Sequence, residues 1–253
     1  MRWSGNNGNK TCKDISCIVV LGMHRSGTSS LAGSLQEMQV YLGDASKCNP
    51  YNRKGNRENQ LVVDLNEQLL FYNKASWDEP PLIRRRLKWT DEQAVLRDQF
   101  ICDMRSAATG KQMAFWGFKD PRTLITWPFW AEALPFACLV GTFRDPIAVA
   151  ASLHKRDGMP PEKAYKLWFD YNQRLLKIYR AKPFKLFNFD SPVELYNRDI
   201  AAFAIEHGVP SAENSFFEEH LRSNDCKDEK NVPWKVTRLY AKLQRLYIRE
   251  AGK

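Results

Sequence analysis

The sequence predicts an α/β fold, namely a P-loop-type parallel sheet flanked by helices on both faces. Three observations predict it. Short apolar runs rich in β-branched residues, typical of strands buried on both faces, alternate with longer amphipathic stretches. The first of these runs, residues 15–23, leads directly into a glycine-bounded loop and then a helix. The chain has 253 residues and a hydrophobic content of 43%, enough to bury a sizeable core. We therefore expect one domain over residues 1–253.

The elements alternate along the chain in the order that such a fold requires. After the first strand, Leu31, Leu35 and Met38 recur at helical spacing. Near the end, residues 236–246 place apolar side chains on one helical stripe, with Lys and Arg opposite. Residues 1–14 are expected to be a flexible N-terminus, and residues 222–253 a C-terminal loop and helix. The remaining strands are predicted at residues 115–119, 137–143 and 184–189, and the remaining helices at 57–72, 90–108, 162–180 and 193–207.

Composition and charge narrow the class of partner. The net charge of +9 favours anionic partners, but the sequence has no RNP-like or helix-turn-helix signature, so nucleic acid is not expected. No stretch approaches the roughly 20 apolar residues of a membrane span, and residues 1–14 lack the apolar run of a signal peptide. We expect a soluble, cytoplasmic protein without stable membrane insertion. The six cysteines show no metal-ligand spacing, so neither a zinc site nor a disulfide framework is expected.

The sharpest local signal is the segment V-L-G-M-H-R-S-G-T-S-S, residues 20–30. Gly22 and Gly27 permit backbone angles that let successive N–H groups point into one concavity. The helix that begins near Gly27 adds the positive end of its dipole. Arg25 contributes a permanent charge and a planar set of donors, and Thr28 and Ser29 contribute hydroxyls. The segment is therefore a predicted binding site for phosphate-like anions.

This loop differs from the GxxxxGK[ST] pattern of nucleotide hydrolases. Thr28 stands where that pattern has Lys. The nearest candidate for a magnesium ligand is Asp145, and the adjacent Arg144 would repel a metal ion. No metal site is therefore expected. A P-loop kinase or another nucleotide-dependent phosphoryl transferase remains the alternative function, because the loop is suited to phosphate in either case.

A second anion site is predicted in the segment F-R-D-P-I-A-V-A-A-S. Arg144 follows a strand, Asp145 can cap the next helix, and Pro146 suits the first helical position. Ser152 lies about two turns into that helix. An arginine at a strand end and a hydroxyl on the adjacent helix are suited to a second phosphate, away from the first loop.

Together these segments resemble the sulfotransferase superfamily, in particular the mostly bacterial group whose loop is G-x-x-R-S-G-T-S. The resemblance implies 3′-phosphoadenosine 5′-phosphosulfate as donor and a carbohydrate or small-metabolite hydroxyl as acceptor, without a metal. It assigns Arg144 and Ser152 to the 3′-phosphate. Arg222, in the segment H-L-R-S-N, is a further candidate for a donor contact, and the alternative is a helix-end cation. The resemblance assigns the 5′-phosphosulfate to the loop residues Met23, His24, Arg25, Ser26, Gly27, Thr28 and Ser29.

The catalytic candidates follow from the same resemblance and from the needs of the reaction. Transfer of a sulfonyl group requires a base for the acceptor proton and cations over the developing charge. Lys119, in the F-K-D-P-R segment, resembles the family lysine that steadies the sulfonate and the leaving oxygen, and Asp120 is its expected ion-pair partner. Glu58 resembles the family's G-x-x-E glutamate and is expected at the start of an apolar helical stripe, as the base. His24 is the rival base.

Overall fold

The computed structural model describes residues 15–45, 55–210 and 232–251. These residues form five strands and eight helices, which are numbered in chain order. The strands are β1 (Ser16–Gly22), β2 (Val40–Tyr41), β3 (Phe115–Lys119), β4 (Cys138–Phe143) and β5 (Lys185–Asn188). The helices are α1 (Thr28–Glu37), α2 (Gln60–Tyr72), α3 (Asp91–Gly110), α4 (Thr123–Ala133), α5 (Pro146–Asp157), α6 (Pro161–Ala181), α7 (Val193–His207) and α8 (Trp234–Ala251).

The five strands form one parallel sheet in the order β2-β3-β1-β4-β5. The central strand β1 has β3 on one side and β4 on the other. The register places Lys119 opposite Val20, and Thr142 opposite Gly22. Ligand sites of parallel α/β sheets lie at the carboxyl ends of the strands, where successive connections diverge. The loop after β1 and the ends of β3 and β4 therefore meet at one edge.

Helices cover both faces of the sheet, which confirms the predicted fold class. Alternate side chains of β1 enter different cores because successive residues of a strand point to opposite faces. Cys17, Val19 and Leu21 pack with α2, α3, α4, α5, α6 and α8. Ile18 and Val20 pack with α1 and α7. The strand is thus buried on both sides, as its unbroken apolar run predicts.

Two local features differ from the sequence prediction. The helix expected over residues 57–72 begins at Gln60, because Asn59 is its N-cap and accepts a hydrogen bond from the Leu61 N–H at 3.0 Å. Glu58 consequently precedes the helix and does not lie on its apolar stripe. The edge strand β2 was not predicted, since two residues are too few to show an alternating pattern.

The predicted cap of α5 is confirmed. The Asp145 carboxylate accepts hydrogen bonds from the N–H groups of Ile147 at 2.7 Å and Ala148 at 3.1 Å, and Pro146 occupies the first turn. Ser152 lies on this helix and is buried.

Among the described residues, no helix combines the length and apolarity needed to cross a bilayer. Arg222 lies outside the described residues.

Candidate functional site

The loop between β1 and α1 requires both of its glycines. At Gly22, an added Cβ would lie 2.6 Å from the Thr28 side chain and 2.8 Å from the Thr142 carbonyl oxygen. Gly27 has a φ of +83°, and an added Cβ would lie 2.2 Å from the Phe189 ring. At Gly22, packing alone excludes a side chain. At Gly27, both packing and the left-handed backbone exclude one.

The loop leaves the N-terminus of α1 open. Its N-cap is Gly27, and no side chain caps the helix. Arg25 also has a left-handed backbone, with φ of 64°, a conformation that costs a non-glycine residue about 1–2 kcal/mol. The Ser26 hydroxyl is buried without a hydrogen-bond partner among the described residues. First-turn N–H groups without a side-chain cap, beside an unused hydroxyl, are suited to an external anion.

Two arginines and a serine converge on one side of this loop. The Arg25 Nε donates a hydrogen bond to the Ser152 Oγ at 2.7 Å. The Arg144 guanidinium reaches the Arg25 carbonyl oxygen at 3.4 Å and the Asp190 carboxylate at 3.4 Å. It also lies 5.2 Å from the centroid of the Phe189 ring. Both members of the predicted pair, Arg144 and Ser152, therefore contact Arg25 of the loop rather than lying away from it.

Like charges lie close together in this cluster. Burial lowers the pKa of Arg25, and the nearby Arg156 and Arg144 lower it further. The Arg144 side chain is only 5% exposed, and its carboxylate partner Asp190 accepts a second hydrogen bond from the Asp145 N–H at 2.6 Å. Arginines that repel one another in a partly buried site favour the binding of an anion between them.

Lys119 stands on the other side of the loop. Its Nζ donates to the Ser29 Oγ at 3.2 Å and to the Glu58 carboxylate at 2.7 Å. The Lys119 side chain is 1% exposed and that of Glu58 is 19% exposed. The Ser29 hydroxyl donates in turn to the Asn56 carbonyl oxygen at 2.9 Å. The two predicted catalytic residues thus form an ion pair at the start of α1.

The expected pairing of Lys119 with Asp120 is wrong. Asp120 accepts hydrogen bonds from the Arg122 guanidinium and from the Asn66 amide, both at 2.8 Å. Arg122 also donates to Glu67 at 2.6 Å, so its guanidinium belongs to this network. Adjacent residues of an extended segment point in opposite directions, which separates the two side chains.

His24 lies against aromatic rings. Its ring centroid is 4.7 Å from that of Trp77 and 6.0 Å from that of Tyr171. The His24 Nε2 is buried without a hydrogen-bond partner among the described residues. Burial, followed by repulsion from Arg122 and other nearby cations, lowers the pKa of His24 well below its usual value. The imidazole is therefore neutral at neutral pH.

Several residues of the site had no assigned role in the sequence analysis. Asn66 joins the buried network of Asp120, with the Thr126 hydroxyl donating at 2.6 Å to its side-chain oxygen. Asp190 follows β5 and anchors Arg144. A polar residue within the apolar stripe of α2 could have revealed Asn66, and a carboxylate directly after a strand could have revealed Asp190. Arg156 is 5.2 Å from the Trp77 ring, and no sequence pattern indicated this contact.

The fold matches solved sulfotransferase domains. The sulfotransferase domain from the curacin biosynthetic pathway is 13% identical, with a TM-score of 0.55 over 91% of this chain and 98% of that one. The sulfotransferase domain from the Synechococcus PCC 7002 olefin synthase is 13% identical, with a TM-score of 0.57 over 96% of this chain and 98% of that one. No protein-family model matches the sequence, and no curated protein matches it significantly. The chain therefore has a sulfotransferase fold, as its loop motif indicated.

Proposed function

We propose that this protein is a sulfotransferase that moves the sulfonyl group of 3′-phosphoadenosine 5′-phosphosulfate to an acceptor hydroxyl. The observation that carries the proposal is the arrangement around the open N-terminus of α1. A cluster of Arg25, Arg144 and Ser152 lies on one side of it, and the buried Lys119 lies on the other. Such an arrangement offers separate cations to two anionic groups of one ligand.

The donor site combines the loop with this cluster. Residues 23–29 would hold the 5′-phosphosulfate through the backbone of the loop and the hydroxyls of Thr28 and Ser29. Arg144 and Ser152 would hold the 3′-phosphate. Because the Ser152 hydroxyl accepts a hydrogen bond from Arg25, we expect this hydrogen bond to rearrange when the 3′-phosphate binds. A contact of Arg222 with the donor stays a prediction, because this residue lies outside the described part of the chain.

Lys119 and Glu58 would have different roles in the transfer, one at the leaving oxygen and the other at the acceptor hydroxyl. The donor supplies an activated sulfonyl group on a good leaving group. Lys119 would stabilise the charge that develops on the leaving oxygen, because its Nζ lies beside the first turn of α1. Glu58 would take the acceptor proton. The Glu58 carboxylate accepts a hydrogen bond from Lys119, so Glu58 would act as a base only once Lys119 has turned towards the donor.

His24 stays the alternative base. Its lowered pKa keeps the imidazole unprotonated but makes it a weak proton acceptor at neutral pH. Its contacts with Trp77 and Tyr171 favour a role in shaping the acceptor side of the loop. The acceptor class we propose, a carbohydrate or small-metabolite hydroxyl, rests on the resemblance of the loop motif.

Phosphoryl transfer is the competing function. The Asp145 carboxylate, the nearest candidate for a magnesium ligand, already accepts hydrogen bonds from two N–H groups of α5.

The test of the proposed function is to incubate the purified protein with donor radiolabelled in its sulfonyl group, and separately with labelled ATP and Mg²⁺. Both incubations contain the same pools of carbohydrates, phenols and peptides. We expect label only from the sulfonyl donor, and none with Lys119→Ala. The variant Arg86→Ala, which changes an exposed cation, is the control and should keep full activity. Label from ATP alone would overturn the proposal.

A further inference from the structure

The outer face of α8 carries a row of cations. The row has five Lys and Arg side chains, separated alternately by three and four residues. This spacing places all five on one side of the helix. The row is about 21 Å long at 1.5 Å per residue. No Asp or Glu occurs between Trp234 and Arg249. This basic row consists of Lys235, Arg238, Lys242, Arg245 and Arg249.

The basic row has no carboxylate partner among the described residues. Four of its side chains are exposed, and that of Lys242 is half-exposed. Elsewhere on the surface, Arg156 pairs with Asp157 and Lys163 pairs with Asp78. The row therefore presents five charges that no carboxylate of the described side chains neutralises.

An apolar row runs beside it. Trp234, Ala241 and Ile248 are spaced by seven residues and so form a line along the helix. Trp234 and Ile248 are each 65% exposed. The opposite stripe of α8 is already buried in the core, so these two side chains contribute nothing to folding the domain. A basic row flanked by exposed Trp and Ile is typical of surfaces that lie at the headgroup level of a membrane.

The helix is held firmly in place. The Tyr247 hydroxyl donates to the Asp199 carboxylate at 2.6 Å and accepts from the Ser191 hydroxyl at 3.1 Å. Tyr240 packs edge-on against Phe143, the last residue of β4, with ring centroids 6.2 Å apart. Anything bound by the outer face of α8 is thereby held in a fixed orientation to the strand ends that carry the candidate site.

We propose that the outer face of α8 docks this protein on an anionic lipid surface, with the basic row on the headgroups and the apolar row among them. Charge complementarity favours a polyanionic partner, and the apolar row favours lipid over nucleic acid, since Ile248 gains nothing from a phosphate backbone. Each Lys or Arg near such a surface raises the affinity about fivefold. The docking does not depend on the proposed sulfotransfer, because it uses none of the residues of that site.

The test is sedimentation of the full chain with phosphatidylcholine vesicles that contain either no anionic lipid or one quarter phosphatidylserine. We expect binding only to the anionic vesicles. Binding should weaken about 100-fold in the triple variant Lys235→Gln, Arg238→Gln, Arg245→Gln, which removes three charges of the basic row. The matched control replaces three exposed cations of another segment, Arg84, Arg85 and Arg86, with Gln, and should bind nearly as the wild type does.

Other outcomes distinguish the partner. Trp234→Ala should weaken vesicle binding several-fold while leaving the melting temperature unchanged, since the side chain is exposed. Equal losses in the α8 variant and its control would reduce the effect to net charge and overturn the proposal. So would absence of binding to anionic vesicles, or tighter binding to a double-stranded oligonucleotide than to the vesicles at the same ionic strength.

Discussion

Glu58→Gln should destabilise the protein only while Lys119 is present. The Lys119 side chain is 1% exposed, and its Nζ has two partners, Glu58 at 2.7 Å and Ser29 at 3.2 Å. Glutamine keeps an acceptor oxygen but loses the negative charge, so the ion pair becomes a hydrogen bond from a charged donor to a neutral acceptor. We expect a loss of about 1–2 kcal/mol in the free energy of unfolding.

A double-mutant cycle isolates the pair. In the Lys119→Met background the Glu58 carboxylate, at 19% exposure, can be hydrated, so Glu58→Gln should cost less than about 0.5 kcal/mol there. The assay is urea denaturation at neutral pH, followed by circular dichroism, with the m-value required to stay constant. Glu67→Gln, which disturbs the neighbouring pair with Arg122, is the control and should not couple to Lys119→Met. An equal cost of Glu58→Gln in both backgrounds would refute the ion pair.

Three further predictions concern the loop and its arginines. Arg144→Ala should weaken binding of adenosine 3′,5′-bisphosphate by about 10–150-fold, since a charged hydrogen bond is lost. The affinity for a ligand without the 3′-phosphate should change little. Equal losses for the two ligands in calorimetry would leave Arg144 without a specific role. Gly27→Ala should cost at least ~2 kcal/mol and abolish bisphosphate binding, because its Cβ enters the Phe189 ring, whereas Gly158→Ala, at φ of +66° with no atom within 4 Å, should cost only ~1 kcal/mol. Burial lowers the pKa of His24, so below about pH 6.5 the unfolded chain binds a proton that the folded chain does not. The free energy of unfolding should therefore fall by up to ~1.4 kcal/mol per pH unit as the pH is lowered below about 6.5. His24→Asn should remove this contribution, and an unchanged slope in the variant would contradict the burial of His24.

Local patterns in the sequence predicted much of the fold and the donor side of the site. The strand, loop and helix around Gly22 and Gly27 are encoded in one short segment, and so is the Asp145 cap before Ser152. Such features depend on neighbours in the chain, which a sequence displays directly. Their meeting near Arg25 follows from the parallel sheet, whose strands end at the same edge.

The pairings on the other side of the loop could not be predicted in this way. Lys119 pairs with Glu58, 61 positions away, and Asn66 with Asp120, 54 positions away. Such pairings join segments that are far apart in the chain, so no local pattern displays them. The start of α2 was also missed by three residues, because the Asn59 cap places Glu58 before the helix.

The most direct test of the donor site is calorimetric titration of the protein with adenosine 3′,5′-bisphosphate in the presence of a chelator. We expect binding at one site without metal, since protein cations serve both phosphates. At a ligand concentration of 100 times the dissociation constant, the fold should be stabilised by ~2.7 kcal/mol. Absence of binding in the chelator, together with binding of ATP that requires Mg²⁺, would contradict the account.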